Sequence, residues 1–433
     1  MSILKASERE RILTETARRV LPAGNFGNTA HEVIIAKGRG GRVWDVSGNE
    51  YVDFLLGSGP MFLGHAHPEV QAAIEAQIPL GTTFFVNNEP GIRLAAEIVA
   101  AVPCAEKVRF VSSGSEADAY AMRLARAFRR RDKILKFEGG YHGMSDYSLI
   151  SLAPKRPGNF PQGVPDSAGI PESVRGEMLI APFNDAALAT SLISEHREEL
   201  AGVIVEPFQR LLAPKPGFLE SLRKSTAEHG IPLIFDEVVT GFRFAYGGAQ
   251  EYYGVVPDIC TLGKIIGGGF PLAAIAGRAD IMAHFDRALV GDERYMMQIG
   301  TLSGNPVAAA AGLASLEVLK RPGTYARAFA TGRELMAGLA RALERVGLPA
   351  QVVGVPPLFD VVFCAGEVSN YRATLAADAA MQKRFNRALL EAGLLRGDTK
   401  FYLSIAHDAA DVQDALAAFT SAAEATARVR EPA

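Results

Sequence analysis

Residues 231–271, IPLIFDEVVTGFRFAYGGAQEYYGVVPDICTLGKIIGGGFP, hold an acid and an amine of complementary chemistry. Asp236 and Glu237 end an apolar run, 231–235, that reads as a buried parallel strand. In open α/β sheets ligands bind beyond the carboxyl ends of the strands, so an acid there is placed to meet a ligand. Lys264 precedes an apolar dipeptide and three glycines, which let a bulky ligand approach closely. Singly, the aspartate reads equally well as a helix cap and the lysine as a solvated loop residue. A phosphate-loop reading fails, because Asp258 and Ile265 stand where that pattern needs Gly and Ser or Thr. Together they suit pyridoxal 5′-phosphate, whose aldehyde condenses with a lysine and whose ring nitrogen is held protonated by a carboxylate.

The segments DEVVTGFR, PD and LGKIIGGGFP resemble the signature of the class III aminotransferases of fold type I. The resemblance implies that Lys264 forms the Schiff base, that Asp236 partners the pyridinium and that Val238 presses on one ring face. It extends through SSGSEA, where Gly114 and Ser115 would hold the cofactor phosphate, and GGYHG, where Tyr141 would stack on the opposite face beside His142. Glu206 in VIVEPF would fix the region around Asp236. Thr301 in GTLSGNP would be donated across a homodimer interface to the neighbouring subunit's phosphate. The resemblance runs from Trp44 to Leu416 and is nearest the glutamate-1-semialdehyde aminomutase branch with its β- and D-amino-acid transaminase relatives.

The implied activity moves an amino group between an amine or amino acid and an oxo acid such as pyruvate or 2-oxoglutarate. The alternative is a 2,1-aminomutase. That branch grips the substrate carboxylate with a basic residue near the N-terminus, whereas GNFGNTAHEV, residues 24–33, has no Arg or Lys. In the γ- and ω-amino-acid branch Gly-Glu follows the Gln that here is Gln209, but Arg210 and Leu211 stand there. Arg210 and Arg396 are the candidate partners for a substrate carboxylate.

The elements that must position these residues follow a βαβ rhythm. Apolar runs at 108–111, 134–137, 203–205 and 231–235 each end on polar residues, the mark of an α/β fold with a site along one edge of the sheet. Ala117, Ala121, Leu124, Ala125 and Phe128 recur at helical spacing, so a helix begins near Ser115 and offers unpaired N–H groups to an anion. The alternation at 42–46, a turn at 47–50 and 51–54 form a hairpin. Residues 151–177, rich in Pro and Gly, read as a long loop. Fold type I implies a mostly parallel seven-stranded sheet in a large domain, with a smaller α+β domain from both termini. The expected boundaries are 1–60, 61–318 and 319–433.

At 433 residues and 48% hydrophobic content the chain can build two domains. A net charge of −3 offers no field for nucleic acid or an anionic membrane. Three scattered cysteines argue against disulfides or a Cys-ligated metal, and His65 and His67 read as turn residues more than as ligands. The charged N-terminal helix lacks a signal-peptide core and no run is long enough to span a membrane, so a cytoplasmic setting is expected.

Overall fold

Why the large sheet is not wholly parallel follows from the length of one connection. Most of its strands are joined by segments long enough to cross over, but only ten residues, Gly263–Leu272, separate two neighbours, too few for a parallel return. The second of the pair therefore runs antiparallel.

The computed structural model describes residues 5–29 and 33–428. Ala30, His31 and Glu32 of the basic-free N-terminal stretch, and the outer ends of the first and third expected domains, lie outside the described residues. The chain divides into two units: one takes in residues up to Pro68, Gly323–Glu367 and those from Ala376 onward, the other Glu69–Pro322 with Val368–Leu375.

The smaller unit contains β1 (Ile35–Arg39), β2 (Arg42–Asp45) and β3 (Glu50–Asp53), the expected hairpin with one strand before it. The larger unit holds β4 (Lys107–Val111), β5 (Lys133–Phe137), β6 (Met178–Ala181), β7 (Leu200–Val205), β8 (Leu233–Glu237), β9 (Ile259–Leu262) and β10 (Ala273–Gly277). These form one seven-stranded sheet of order β4-β10-β9-β8-β7-β5-β6. Only β10 is antiparallel to its neighbours, so the carboxyl ends of the other six point the same way. Strands β7, β8 and β9 are buried throughout, as a sheet covered on both faces requires. Phe137, Phe183 and Phe218 pack edge to face beneath it, with Phe183 and Phe218 centroids 4.9 Å apart.

Glycines fit the Lys264 turn to a helix. A Cβ at Gly268 (φ +57°) would meet Ala311 O at 2.6 Å, and one at Gly312 would meet Ile266 O at 2.1 Å. Gly268, the middle of the triplet, thus seats the turn closely on the helix Pro306–Leu319. The long Pro/Gly segment contains a short helix, Glu172–Gly176, whose five residues are too few to show a period.

In the smaller unit β13 (Leu394–Leu395) joins β3, while β11 (Gln351–Val355), β12 (Leu358–Val362) and β14 (Phe401–Tyr402) form a separate sheet. Asp408 caps the helix Ala409–Arg428 by accepting from Ala410 N and Asp411 N. His65 is engaged by Asp53 Oδ2 at 2.7 Å.

Candidate active site

Five of the six parallel strand ends, those of β4, β5, β7, β8 and β9, deliver the polar groups. After β4, Ser113 caps the helix Gly114–Arg129, and Glu116 accepts both Ser112 N and Ser113 N. With those two groups taken, the N–H groups of Gly114 and Ser115 begin the helix at positions with no intrahelical carbonyl, at the dipole's positive end, where an anion is favoured. The turn after β5 presses against them: Gly143 (φ +82°) comes so near that a Cβ would lie 2.5 Å from Ser115 Cα, and Met144 N donates to Ser115 Oγ.

Asp236 and Glu237 end β8 on opposite faces of the strand, and that alternation separates their work. Glu237 accepts Gln250 Nε2 at 2.9 Å and Ala249 N, which makes it structural. Asp236 Oδ2 meets His142 Nδ1 at 2.9 Å, and its Oδ1 accepts Val238 N at 3.1 Å. Tyr141, 37% exposed, is tied by its backbone N–H to Glu206 Oε2 at 2.9 Å, so the acid at the end of β7 positions the ring that follows β5. Val238 lies beside Gly114, where a Cβ would be 3.0 Å from its Cγ1, and beside Gly263 at 3.2 Å. Lys264 follows Gly263 in a left-handed conformation (φ +50°), starting the turn Lys264–Gly267.

Other expected residues fall elsewhere. Thr301 is exposed in the turn before Pro306, and no described contact joins it to Gly114 or Ser115. Arg210 (φ +61°) holds its guanidinium 5.4 Å from the Tyr141 ring centroid, and no carboxylate pairs with it among the described residues. Burial raises the Tyr141 phenol while Arg210 pulls it the other way. Arg396, in the smaller unit, is 1% exposed and faces Asp360 at 2.7 Å, an ion pair without the straight geometry of a hydrogen bond. Its charge is already balanced.

Asp118 and Thr261, which the sequence analysis did not single out, join the site, as does Gln209, named there only to tell the branches apart. Asp118 Oδ1 accepts Thr261 Oγ1 at 2.6 Å, and the same hydroxyl lies 3.4 Å from Asp236 Oδ1. Gln209 gives its Nε2 to Glu138 O, leaving its buried Oε1 without a partner, as is the buried His142 Nε2. A carboxyl inside the alanine stripe of a buried helix face was the signal for Asp118.

These residues fit pyridoxal phosphate. A helix N-terminus suits the phosphate, Asp236 supplies a carboxylate already oriented by His142 and Val238 N, and the flanking Gly114 and Gly263 leave room beside Val238. Residues 24–409 match the family Aminotransferase class-III. Among solved structures, an omega-transaminase from Sphaerobacter thermophilus is similar at 35% identity and TM-score 0.92, covering 98% of each chain. A beta-phenylalanine aminotransferase from Variovorax paradoxus is similar at 31% identity and TM-score 0.86, covering 96% of this chain and 94% of its own. A glutamate-1-semialdehyde aminomutase from Pseudomonas aeruginosa PAO1 shares 26% identity at TM-score 0.85, with the same coverage. With its family matched over most of the sequence and its fold shared end to end with known transaminases, the chain belongs to the class III aminotransferases and is a pyridoxal-phosphate-dependent transaminase.

Proposed function

We propose that this transaminase takes amino donors bearing a carboxylate, held by Arg210, and passes the amino group to an oxo acid such as pyruvate or 2-oxoglutarate. The observation that carries the reading is Arg210 itself, a guanidinium over the Tyr141 ring with no carboxylate of its own among the described residues. Arginine presents a planar fork that matches a carboxylate, and its left-handed backbone directs that fork from a tight turn.

Bound pyridoxal phosphate supplies an aldehyde for amine exchange and a protonated ring that draws electrons from the substrate carbon. Lys264 would hold the aldehyde, and its Nζ is the base that would move the proton at the donor carbon. Asp236 would accept the ring nitrogen's hydrogen, Tyr141 and Val238 would flank the ring, and the Gly114 and Ser115 N–H groups would hold the phosphate. Glu206 and His142 support Tyr141 and Asp236.

The active form in this reading is a homodimer with Thr301 reaching the neighbouring subunit's phosphate. Phe85, Val86, Ile92 and Ile299, between 58% and 72% exposed, border a cleft of about 370 Å³ beside the Thr301 turn. Asn305 Nδ2 to Thr82 O and Asn88 Nδ2 to Gly304 O bind the two segments into one apolar face, which a second copy would cover. Free thiols at Cys104, Cys260 and Cys364 suit a cytoplasmic setting. Among the described residues no helix is long and apolar enough to cross a membrane.

The test is a donor panel with and without carboxylates, run on wild type and Arg210→Ala. The KM for carboxylate donors should rise about tenfold or more, as expected for losing a charge-assisted pair, while amines without a carboxylate keep theirs. An unchanged KM for every acidic donor removes Arg210 from the role. Product formed with no acceptor present would point to the aminomutase reaction instead.

A further inference from the structure

Behind Asp236 lies a second carboxyl that the roles above leave unused. Asp118, 2% exposed, sits on the buried side of the helix Gly114–Arg129 among Ala117, Ala121 and Met122. Thr261 Oγ1 bridges the two acids, 2.6 Å from Asp118 Oδ1 and 3.4 Å from Asp236 Oδ1, which brings the two carboxyls to one hydroxyl. No Arg or Lys pairs with Asp118 among the described residues. The groups facing it are Asp236 at the end of β8, Thr261 on β9, Glu206 after β7 and Tyr141 after β5, with His142 beyond Tyr141 reaching Asp236, while β10 brings only Ala273–Gly277. Two buried carboxylates side by side, with His142 facing Asp236 and no Arg or Lys paired with Asp118 among the described residues, repel one another when both are ionised, which favours a hydrogen on Asp118. Burial first, and then the charge of Asp236, lift the Asp118 carboxyl well above the usual range.

We infer that Asp118 is a positioning residue: as the neutral acid it donates its O–H to Asp236 and, with His142 and the Val238 N–H, fixes that carboxylate for the cofactor ring nitrogen. The inference rests on the proposed role of Asp236. Asp118 lies one helical turn beyond Gly114 and Ser115, so a single helix sets the phosphate end and, through Asp118, the ring-nitrogen end.

Infrared spectroscopy of the cofactor-free protein at neutral pH tests this directly. A carbonyl stretch of a protonated carboxylic acid should be present and should vanish in Asp118→Asn. Titration with pyridoxal phosphate should give Asp118→Asn an affinity within about threefold of wild type, since the amide keeps a donor, whereas Asp118→Ala should lose about tenfold or more. The unfolding midpoint adds a pH signature. An acid raised in the fold contributes stability below its unfolded value and loses it as pH rises, so wild type should fall behind Asp118→Asn above about pH 4. If Asp118→Asn does not fold, Thr261→Val should shift the same infrared band. Absence of the band in wild type, its persistence in Asp118→Asn, or an Asn variant as weak as Ala overturns the proposal. Asp236→Asn with undiminished cofactor affinity would instead overturn the role given to Asp236, leaving the infrared result to stand alone.

Discussion

His142 and Asp236, both almost fully buried, face each other at 2.9 Å from different strand ends, so the turn after β5 orients the carboxylate on β8. Replacing His142 by Phe removes that partner from a buried acid. Affinity for pyridoxal phosphate should fall about tenfold to a hundredfold, measured by titrating the cofactor-free protein, because hydrogen bonds to charged groups contribute about 1.5–3 kcal/mol.

Gly143→Ala should strike the phosphate end. The residue has φ +82°, and its new methyl would meet Ser115 Cα at 2.5 Å, a backbone atom that cannot rotate away. A lower unfolding midpoint and weaker binding of both inorganic phosphate and pyridoxal phosphate are expected, with strain of about 1–3 kcal/mol. Affinity for unphosphorylated pyridoxal should change far less.

Lys136 gives a pH dependence of its own. Its ammonium is fully buried, donates to Ser148 O and Ile150 O, and is pushed down to about 7 by burial. A lysine lowered in the fold contributes stability that is whole above its unfolded value, about 10.4, and lost as pH falls through about 7. Between those limits stability should climb by up to about 1.4 kcal/mol per pH unit, and Lys136→Met should lack that slope in denaturant titrations.

Arg372→Ala should destabilise the larger unit. Arg372 meets the buried Glu138 at 2.7 and 3.1 Å and stacks on Phe160. Removing it strands Glu138, at about 1–3 kcal/mol or more. Glu138→Gln in the same background should recover part of the loss in the melting temperature, since the amide carries no charge.

The residues most readable from sequence are those whose position follows from one strand and its end. Asp236 and the helix after Ser113 announce themselves through an apolar run that stops on a polar group, and β8 and the helix Gly114–Arg129 stand there. Strands β9 and β10 did not show, because ICTL and AAIAG are short and their antiparallel junction is set by a connection length rather than a local period. Asp118 was hidden for a related reason. Its helix face reads as apolar, and only the approach of β8 and β9 gives a carboxyl there something to do. Nor does any local pattern announce that Val368–Leu375, inside the stretch expected to form the C-terminal domain, belongs with the larger unit.

That short segment makes the polypeptide pass between the two units at four points in its length. It brings Tyr371 against Gly139, Ser369 O to Asn184 and Arg372 to Glu138, all within the larger unit. A fragment ending at Pro322 would keep all seven strands yet expose Gly139 and leave a bare acid at residue 138. Dissecting this enzyme therefore calls for a split that retains the distant octapeptide, supplied in trans or spliced back by a linker.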